Sequence, residues 1–313
     1  MNEVNATNTS NILYDKTPYT ITHKPIFTHL VLGGGGMMGA VYIGVFRYLY
    51  ERPELIKNIK TVIGTSVGAV FAIIFVLNIP IFEIELFWKT FLNEKNKHYD
   101  IDLINVFNIF YTNGLDSNER PLQIILKYIK DITFLDLAKK TGKELVICAT
   151  NAYTMKPIYF SVDTTPNVLV SDAIYASCAV PLLLKPIKIG DIHYIDGGVS
   201  DNVPVSYISK NILYDNILIL SLESNSPEKI QEINLPILLL NTILTLIQNS
   251  TLQNIYNKRY KYFVAFKNIP VKAVDFKVLE EKLYICTSLE KLDKCFEIGY
   301  ETMYLKVQDW IHN

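Results

Sequence analysis

Short apolar runs alternate along this chain with stretches whose apolar residues recur every three to four positions. Residues 26–32 form one such run, closed by Gly33-Gly34-Gly35-Gly36, and an apolar-periodic stretch follows to Tyr50. That order predicts a strand, a tight glycine turn and a helix. Residues 60–63 predict a second strand ending at Gly64. Residues 67–77, almost wholly apolar, predict a helix buried on every side. A βαβα pattern of this kind marks a parallel sheet covered by helices. Farther along, residues 80 to about 130 read as helical, with breaks near 96–100 and 112–117. Residues 145–150 and 157–162 read as strands, 168–177 as a short helix ending before Pro181, and 192–195 and 216–222 as strands. Residues 233–259 predict one long helix and 262–266 a late strand. In residues 288–310, Leu289, Leu292, Phe296, Tyr300, Met303, Tyr304 and Val307 fall at helical spacing behind a candidate N-cap, Ser288. With no repeats, charge runs or linker, residues 25–313 are expected to form one α/β domain after a polar, flexible leader over 1–24.

Half of the 313 residues are hydrophobic and 19% are charged, which excludes disorder over most of the chain. Thirty Lys and Arg against 31 Asp and Glu give a net charge of -1, which argues against a nucleic-acid partner. Cys148, Cys178, Cys286 and Cys295 include no C-x-x-C pair, so reduced, buried thiols are expected. The N-terminus lacks the basic and apolar regions of a signal peptide. Residues 67–82 are interrupted by Asn78 and Pro80, and residues 233–247 by Asn234, Pro236 and Asn241. Both fall short of the ~20 clean apolar residues of a membrane span and read as buried or interfacial. The expected location is the cytoplasm.

Three motifs carry chemistry. Gly64-Thr65-Ser66-Val67-Gly68 is a G-x-S-x-G sequence between a short strand and a buried helix, the setting of a nucleophile elbow. Gly64 and Gly68 let strand and helix approach closely, and the helix N-terminus beside Ser66 offers oriented N–H groups to developing negative charge. Its alternative is a turn serine that caps the helix. The second motif is Gly33–Gly36 with Gly39, where successive backbone N–H groups face one anion. Either a phosphate cradle or an oxyanion hole for Ser66 fits. The dinucleotide version lacks a well-placed acid after the second strand, and no Walker lysine is present. The third is Asp196-Gly197-Gly198 at the end of a strand, which delivers a carboxylate to a sheet edge; alone it would read as a turn. Of the five histidines only His312, at the chain end, follows Asp196, and His193 lies on the opposite strand face. A Ser66–Asp196 pair is therefore preferred to a Ser-His-Asp triad. No Cys/His cluster points to a metal.

In order, these motifs resemble the patatin-like phospholipase family, with its glycine-rich loop (here Gly34 to Gly39), G-x-S-x-G serine and D-G-[GA] aspartate. The block from Asp172 to Pro181 is similar to the family's A-S-x-x-x-P block, and Asn202-Val203-Pro204 matches its N-x-P continuation. The resemblance covers roughly residues 26–210; the remainder shows none. It implies a three-layer α/β/α sandwich with a mainly parallel central sheet. It also implies Ser66 as nucleophile and Asp196 as its base. Gly34, Gly35 and Gly36 would form the oxyanion hole, with Gly39, Gly64, Gly68, Gly197 and Gly198 as supporting positions. The implied reaction is hydrolysis of a fatty-acyl ester through an acyl-serine, without metal or organic cofactor. Many members carry Arg or Lys where this chain has Met38, which puts preference for anionic phospholipids in doubt and favours neutral acylglycerols. The implied partner is a phospholipid or other acyl-ester lipid in a membrane or micelle, met by peripheral contact. Residues 80–91, with Ile81, Phe82, Ile84, Leu86, Phe87 and Trp88, and residues 235–247 are candidate contact segments, against core packing as the plainer account. Two other classes compete: a catalytically silent lipid-binding scaffold on the same fold, and a nucleotide-binding protein. The oligomeric state is not legible.

Overall fold

The computed structural model describes residues 25–95, 127–208, 216–223, 235–256, 260–271, 276–279, 282–285 and 288–312. In chain order the strands of the main sheet are β1 (His29–Leu32), β2 (Thr61–Thr65), β3 (Glu144–Asn151), β4 (Pro157–Phe160), β5 (Ile187–Ile189), β6 (Ile192–Asp196), β7 (Ile217–Leu222) and β8 (Tyr262–Phe266). The longer helices are α1 (Val41–Tyr50), α2 (Val67–Leu77), α3 (Ile81–Lys95), α4 (Phe134–Thr141), α5 (Val170–Ser177), α6 (Leu235–Tyr256) and α7 (Leu289–His312). A separate antiparallel pair, β9 (Phe276–Leu279) and β10 (Lys282–Ile285), completes the strands.

The sheet runs β3-β2-β1-β7-β8, and β3 also pairs with β4 and with β6, which carries β5 on its far side. Strands β1, β2, β3, β7 and β8 pair in parallel, and β4, β5 and β6 pair antiparallel. Side chains alternate between two buried faces. Leu30, Leu32, Val62, Ile147, Leu218, Leu220 and Val264 join the large core under the helices. Val31, Ile63, Val146, Ile217 and Ile219 face the other way, onto Val203, Val205 and Ile208. Strands buried on both faces read as nearly continuous apolar runs, as β1 and β7 do. The result is an α/β sandwich with a mixed, mainly parallel sheet.

Helix α2 sits inside this core, with Phe71, Ala72, Ile73 and Ile74 fully buried. Helix α7 crosses α1 at two glycines: a Cβ on Gly44 would run into the Phe296 carbonyl, and one on Gly299 into the Val41 carbonyl. Ion pairs of Glu85 with Arg47 and Lys89, and of Lys89 with Asp293 at 2.9 Å, tie α3 to both. On α7 the buried seam is Leu292, Cys295, Phe296, Gly299, Met303 and Val307. Leu289 and Tyr304, expected on that face, are exposed. Ser288 does cap the helix, accepting from the Lys291 N–H at 3.2 Å. Cys148 and Cys295 are buried free thiols and Cys178 is half-buried. The expected leader over 1–24, the breaks near 96–100 and 112–117, and Cys286 lie outside the described residues. Among the described residues no helix is long and apolar enough to cross a membrane.

Candidate active site

The register of β3 brings the two candidate catalytic residues together. Ile147 pairs with Gly64 on one side and Phe160 on the other, while Ala149 pairs with Ile158 and Asp196. Strand β4 thus holds one edge of β3, and β2 and β6 share the other edge end to end. Parallel β2 stops with Thr65 opposite Cys148, and antiparallel β6 arrives with Asp196 opposite Ala149. Ser66 and Asp196 follow from these two facing strand ends.

Ser66 has φ 54° and ψ -126°, a backbone region that costs a non-glycine residue about 1–3 kcal/mol. Three features hold the turn in place. Its carbonyl accepts from the Ala69 N–H at 2.8 Å, which starts α2. Its N–H donates to the Ser177 hydroxyl at 2.8 Å, and that hydroxyl donates to the Cys148 carbonyl at 2.6 Å. A side chain at position 68 would strike the Leu32 carbonyl, so only glycine lets α2 begin against β1. Ser66 remains 8% exposed.

Asp196 is 3% exposed. Its Oδ1 accepts the Gly198 N–H at 2.7 Å, and its Oδ2 meets no hydrogen-bond partner among the described residues. Burial pushes its carboxyl up to about 7, against the opposing pull of the Ser66 hydroxyl and the Gly198 N–H. The segment after α5 steadies the acid as well as the serine. The Asp196 N–H donates to the Ala179 carbonyl at 2.9 Å, and the Gly197 N–H to the Ser177 carbonyl at 3.3 Å. Cys178 lies between them. Burial and the Asp196 charge raise its thiol, which the Ser66 hydroxyl opposes, so it stays protonated.

The glycine loop reaches the same place from β1. A Cβ on Gly34 would sit 3.2 Å from the Ser66 Cβ. Asn202 clamps this glycine twice: its carbonyl accepts the Gly34 N–H at 3.0 Å, and its side-chain amide donates to the Gly34 carbonyl at 3.4 Å. Below, the Tyr42 hydroxyl donates to the Gly33 carbonyl at 2.8 Å. The Gly34 N–H is thereby occupied. The N–H groups of Gly35 and Gly36 donate to no acceptor among the described residues and are free for a ligand. Met38 is buried, with its methyl group against Gly35, so it supports the loop by packing and presents nothing to a headgroup.

His193 stands apart from this cluster. Its Nδ1 pairs with the Tyr153 hydroxyl at 2.6 Å, three strand positions or about 10 Å from Asp196. Reading the motifs one by one did not single out Ser177 or Asn202 for a role, although both fall in the family-like blocks. For Ser177 the local signal was a small polar residue among apolar ones; Asn202, after Ser200 and Asp201, offered none. Among the described residues, no group of three His, Cys, Asp or Glu side chains is arranged as a metal site. A serine hydroxyl, a buried carboxyl poised near neutrality and free backbone donors can together perform acyl transfer.

Residues 30–208 match the model of the patatin-like phospholipase family. The chain is 32% identical over 207 residues to the probable lipid hydrolase 463L of invertebrate iridescent virus 6, covering 63% of this chain and 70% of that protein. It is 30% identical over 216 residues to triacylglycerol lipase 4 of Saccharomyces cerevisiae, covering 61% of this chain but only 23% of the yeast protein. Among solved structures, VipD from Legionella pneumophila shares the fold, with a TM-score of 0.59 over 91% of this chain and 67% of that chain at 17% identity. Motif order, fold and matched span agree: the chain belongs to the patatin-like phospholipase family.

Proposed function

We propose that this protein hydrolyses fatty-acyl esters of lipids, of phospholipase A or lysophospholipase type, through an acyl-enzyme on Ser66 with Asp196 as its only general base. The observation that carries the reading is the end-to-end meeting of β2 and β6 on one edge of β3, which sets a strained serine beside a buried carboxyl. The Asp196 carboxylate takes the Ser66 proton as Oγ bonds to the ester carbonyl carbon. The carbonyl oxygen becomes an oxyanion held by the Gly35 and Gly36 N–H groups, with the N-terminus of α2 adding its dipole. The bond to the leaving alcohol then breaks, and that oxygen takes the proton from Asp196. Water, giving its proton to Asp196, attacks the acyl-serine; the fatty acid leaves and Ser66 regains its proton. A base near 7 is suited to both halves of this cycle.

A second reading, a neutral acylglycerol as substrate, is favoured by the similarity to a yeast triacylglycerol lipase and by the apolar Met38. Either way the partner is a lipid aggregate met by peripheral contact, and residues 25–313 act as one domain.

The test is fatty-acid release from mixed phospholipid vesicles and from a triacylglycerol emulsion by wild type, Ser66→Ala, Asp196→Ala and His193→Ala. Release is expected to fall to background in the first two variants and to persist in the third. Activity retained in Asp196→Ala but lost in His193→Ala would overturn the assignment of the base. No release from either substrate by a folded wild type would overturn the hydrolase.

A further inference from the structure

Helix α6 is built inside out. Its 22 residues contain no Asp, Glu, Lys, Arg or His, where the 19% charged share of the chain would give about four. Leu238, Leu239 and Leu246 are 49%, 42% and 63% exposed. With the exposed Thr242 and Thr245 they recur at i, i+1, i+4, i+7 and i+8, one continuous stripe on a 3.6-residue helix. The Thr242 hydroxyl donates to the Leu238 carbonyl of its own helix at 2.8 Å, so it needs no partner outside. The stripe is thus three leucines and two threonines, with one of its two hydroxyls satisfied inside the helix. Opposite it, Ile247 points inward, its Cγ2 3.4 Å from where a Cβ on Gly198 would lie. Gly198 is the residue whose N–H holds the Asp196 carboxyl.

We propose that α6 is the membrane-docking element of this protein and that its partner is a zwitterionic lipid surface, a phosphatidylcholine bilayer, on which the Leu238, Leu239 and Leu246 stripe lies flat. The inference takes its lipid partner from the acyl-ester reading above and adds to it the surface, the segment and the charge type. Charge argues for this occupant. A helix that recognises anionic lipid carries Lys and Arg along its polar face. This one carries neither, so burial of leucine is the whole of its attraction, and salt should not screen it. Position argues for it too. The inward face covers the turn that bears Asp196, so a lipid under the stripe lies beside the candidate site rather than across the molecule from it.

The experiment is vesicle flotation of the full chain with phosphatidylcholine vesicles and with vesicles that also contain phosphatidylserine, at about 0.1 and about 1 M salt. It is repeated with Leu238→Ser/Leu246→Ser and Leu238→Lys/Leu246→Lys, whose sites are exposed and outside the proposed catalytic machinery. Labelling of Ser66 in solution by a serine-reactive phosphonate is read alongside. Wild type is expected to float with phosphatidylcholine vesicles, equally at both salts and without gain from phosphatidylserine. Both double variants should bind at least about tenfold more weakly while labelling at the wild-type rate. Flotation that needs phosphatidylserine or is lost in salt overturns the proposal. So does wild-type flotation by the variants, no flotation at all, or a self-associated chain that the variants convert to monomer. Flotation as expected with no labelling of Ser66 would leave the docking surface standing and remove the hydrolase.

Discussion

Replacing Asp196 by Asn separates the two consequences of burying a carboxyl. The amide has the same shape and can still accept the Gly198 N–H, now bonded at 2.7 Å, but it cannot ionise. In the folded wild type the group titrates at about 7, against 3.8 ordinarily. The native state thus holds its proton where the unfolded chain has released it. The stability this confers is fully present below about pH 4 and is lost as pH rises to 7. A separation of about three pH units, at about 1.4 kcal/mol each, makes the loss ~4 kcal/mol at pH 8 and ~1 kcal/mol at pH 4.5. Asp196→Asn does not suffer it. Urea unfolding of both proteins should therefore find the variant more stable by about 4 kcal/mol at pH 8 and by about 1 kcal/mol at pH 4.5. Groups that titrate alike in the two proteins cancel in the difference. On a water-soluble short-chain ester the variant should lose roughly 10²–10⁴ in kcat, the range for a general base, while wild-type kcat/KM rises with pH through a midpoint near 7. A stability advantage of the same size at both pH values would refute the reasoning, because the carboxyl would then be ionised throughout.

Ser177→Ala leaves the buried Ser66 N–H and Cys148 carbonyl without their shared hydroxyl, at about 1–3 kcal/mol of stability. In steady-state kinetics on the same ester kcat should drop with KM nearly unchanged, and an unaltered kcat would remove Ser177 from the positioning of the elbow. Gly299→Ala drives a methyl group into the Val41 carbonyl where α7 crosses α1, so thermal unfolding should show a loss on the order of 1–3 kcal/mol, whereas an unchanged Tm would mean the two helices can separate freely.

How much of this was legible beforehand depended on whether a feature is local. Ser66 was readable because G-x-S-x-G stood between an apolar run and a buried helix, and both elements form where expected. Setting His193 aside rested on strand alternation, and Tyr194 and Asp196 are indeed the buried positions of β6 while His193 binds Tyr153. Some local signals were passed over. Thr133 capping the Asp136 N–H at 3.1 Å and Gly142 at φ 65° bracket α4, in a stretch that had been assigned no element. Strand β5, three residues long, carried too little pattern to register. The run over 26–32 becomes a strand only from His29. What no periodicity could supply is register. That β2 and β6 share one edge of β3 depends on pairings 83 residues apart for β2 and 43 to 47 apart for β6, and it is this sharing that turns three separate motifs into one site.

The same distinction bears on where the resemblance stops. The family match ends at residue 208, yet β7 lies between β1 and β8 in the sheet, and its Leu220 carbonyl receives both the Gly33 N–H at 2.9 Å and the Tyr42 hydroxyl at 3.2 Å. The glycine loop is thus aimed partly by a strand outside the matched span. Helix α1, which carries Tyr42, is in turn seated by α7 through Gly44 and Gly299. A motif can persist by keeping a few residue types at fixed spacing. A helix crossing is met by any pair of surfaces that fit, so its residues need follow no shared pattern. What the site takes from the described C-terminal elements is contact: the Leu220 carbonyl that holds Gly33 and Tyr42, and the glycine crossing of α7 that seats α1.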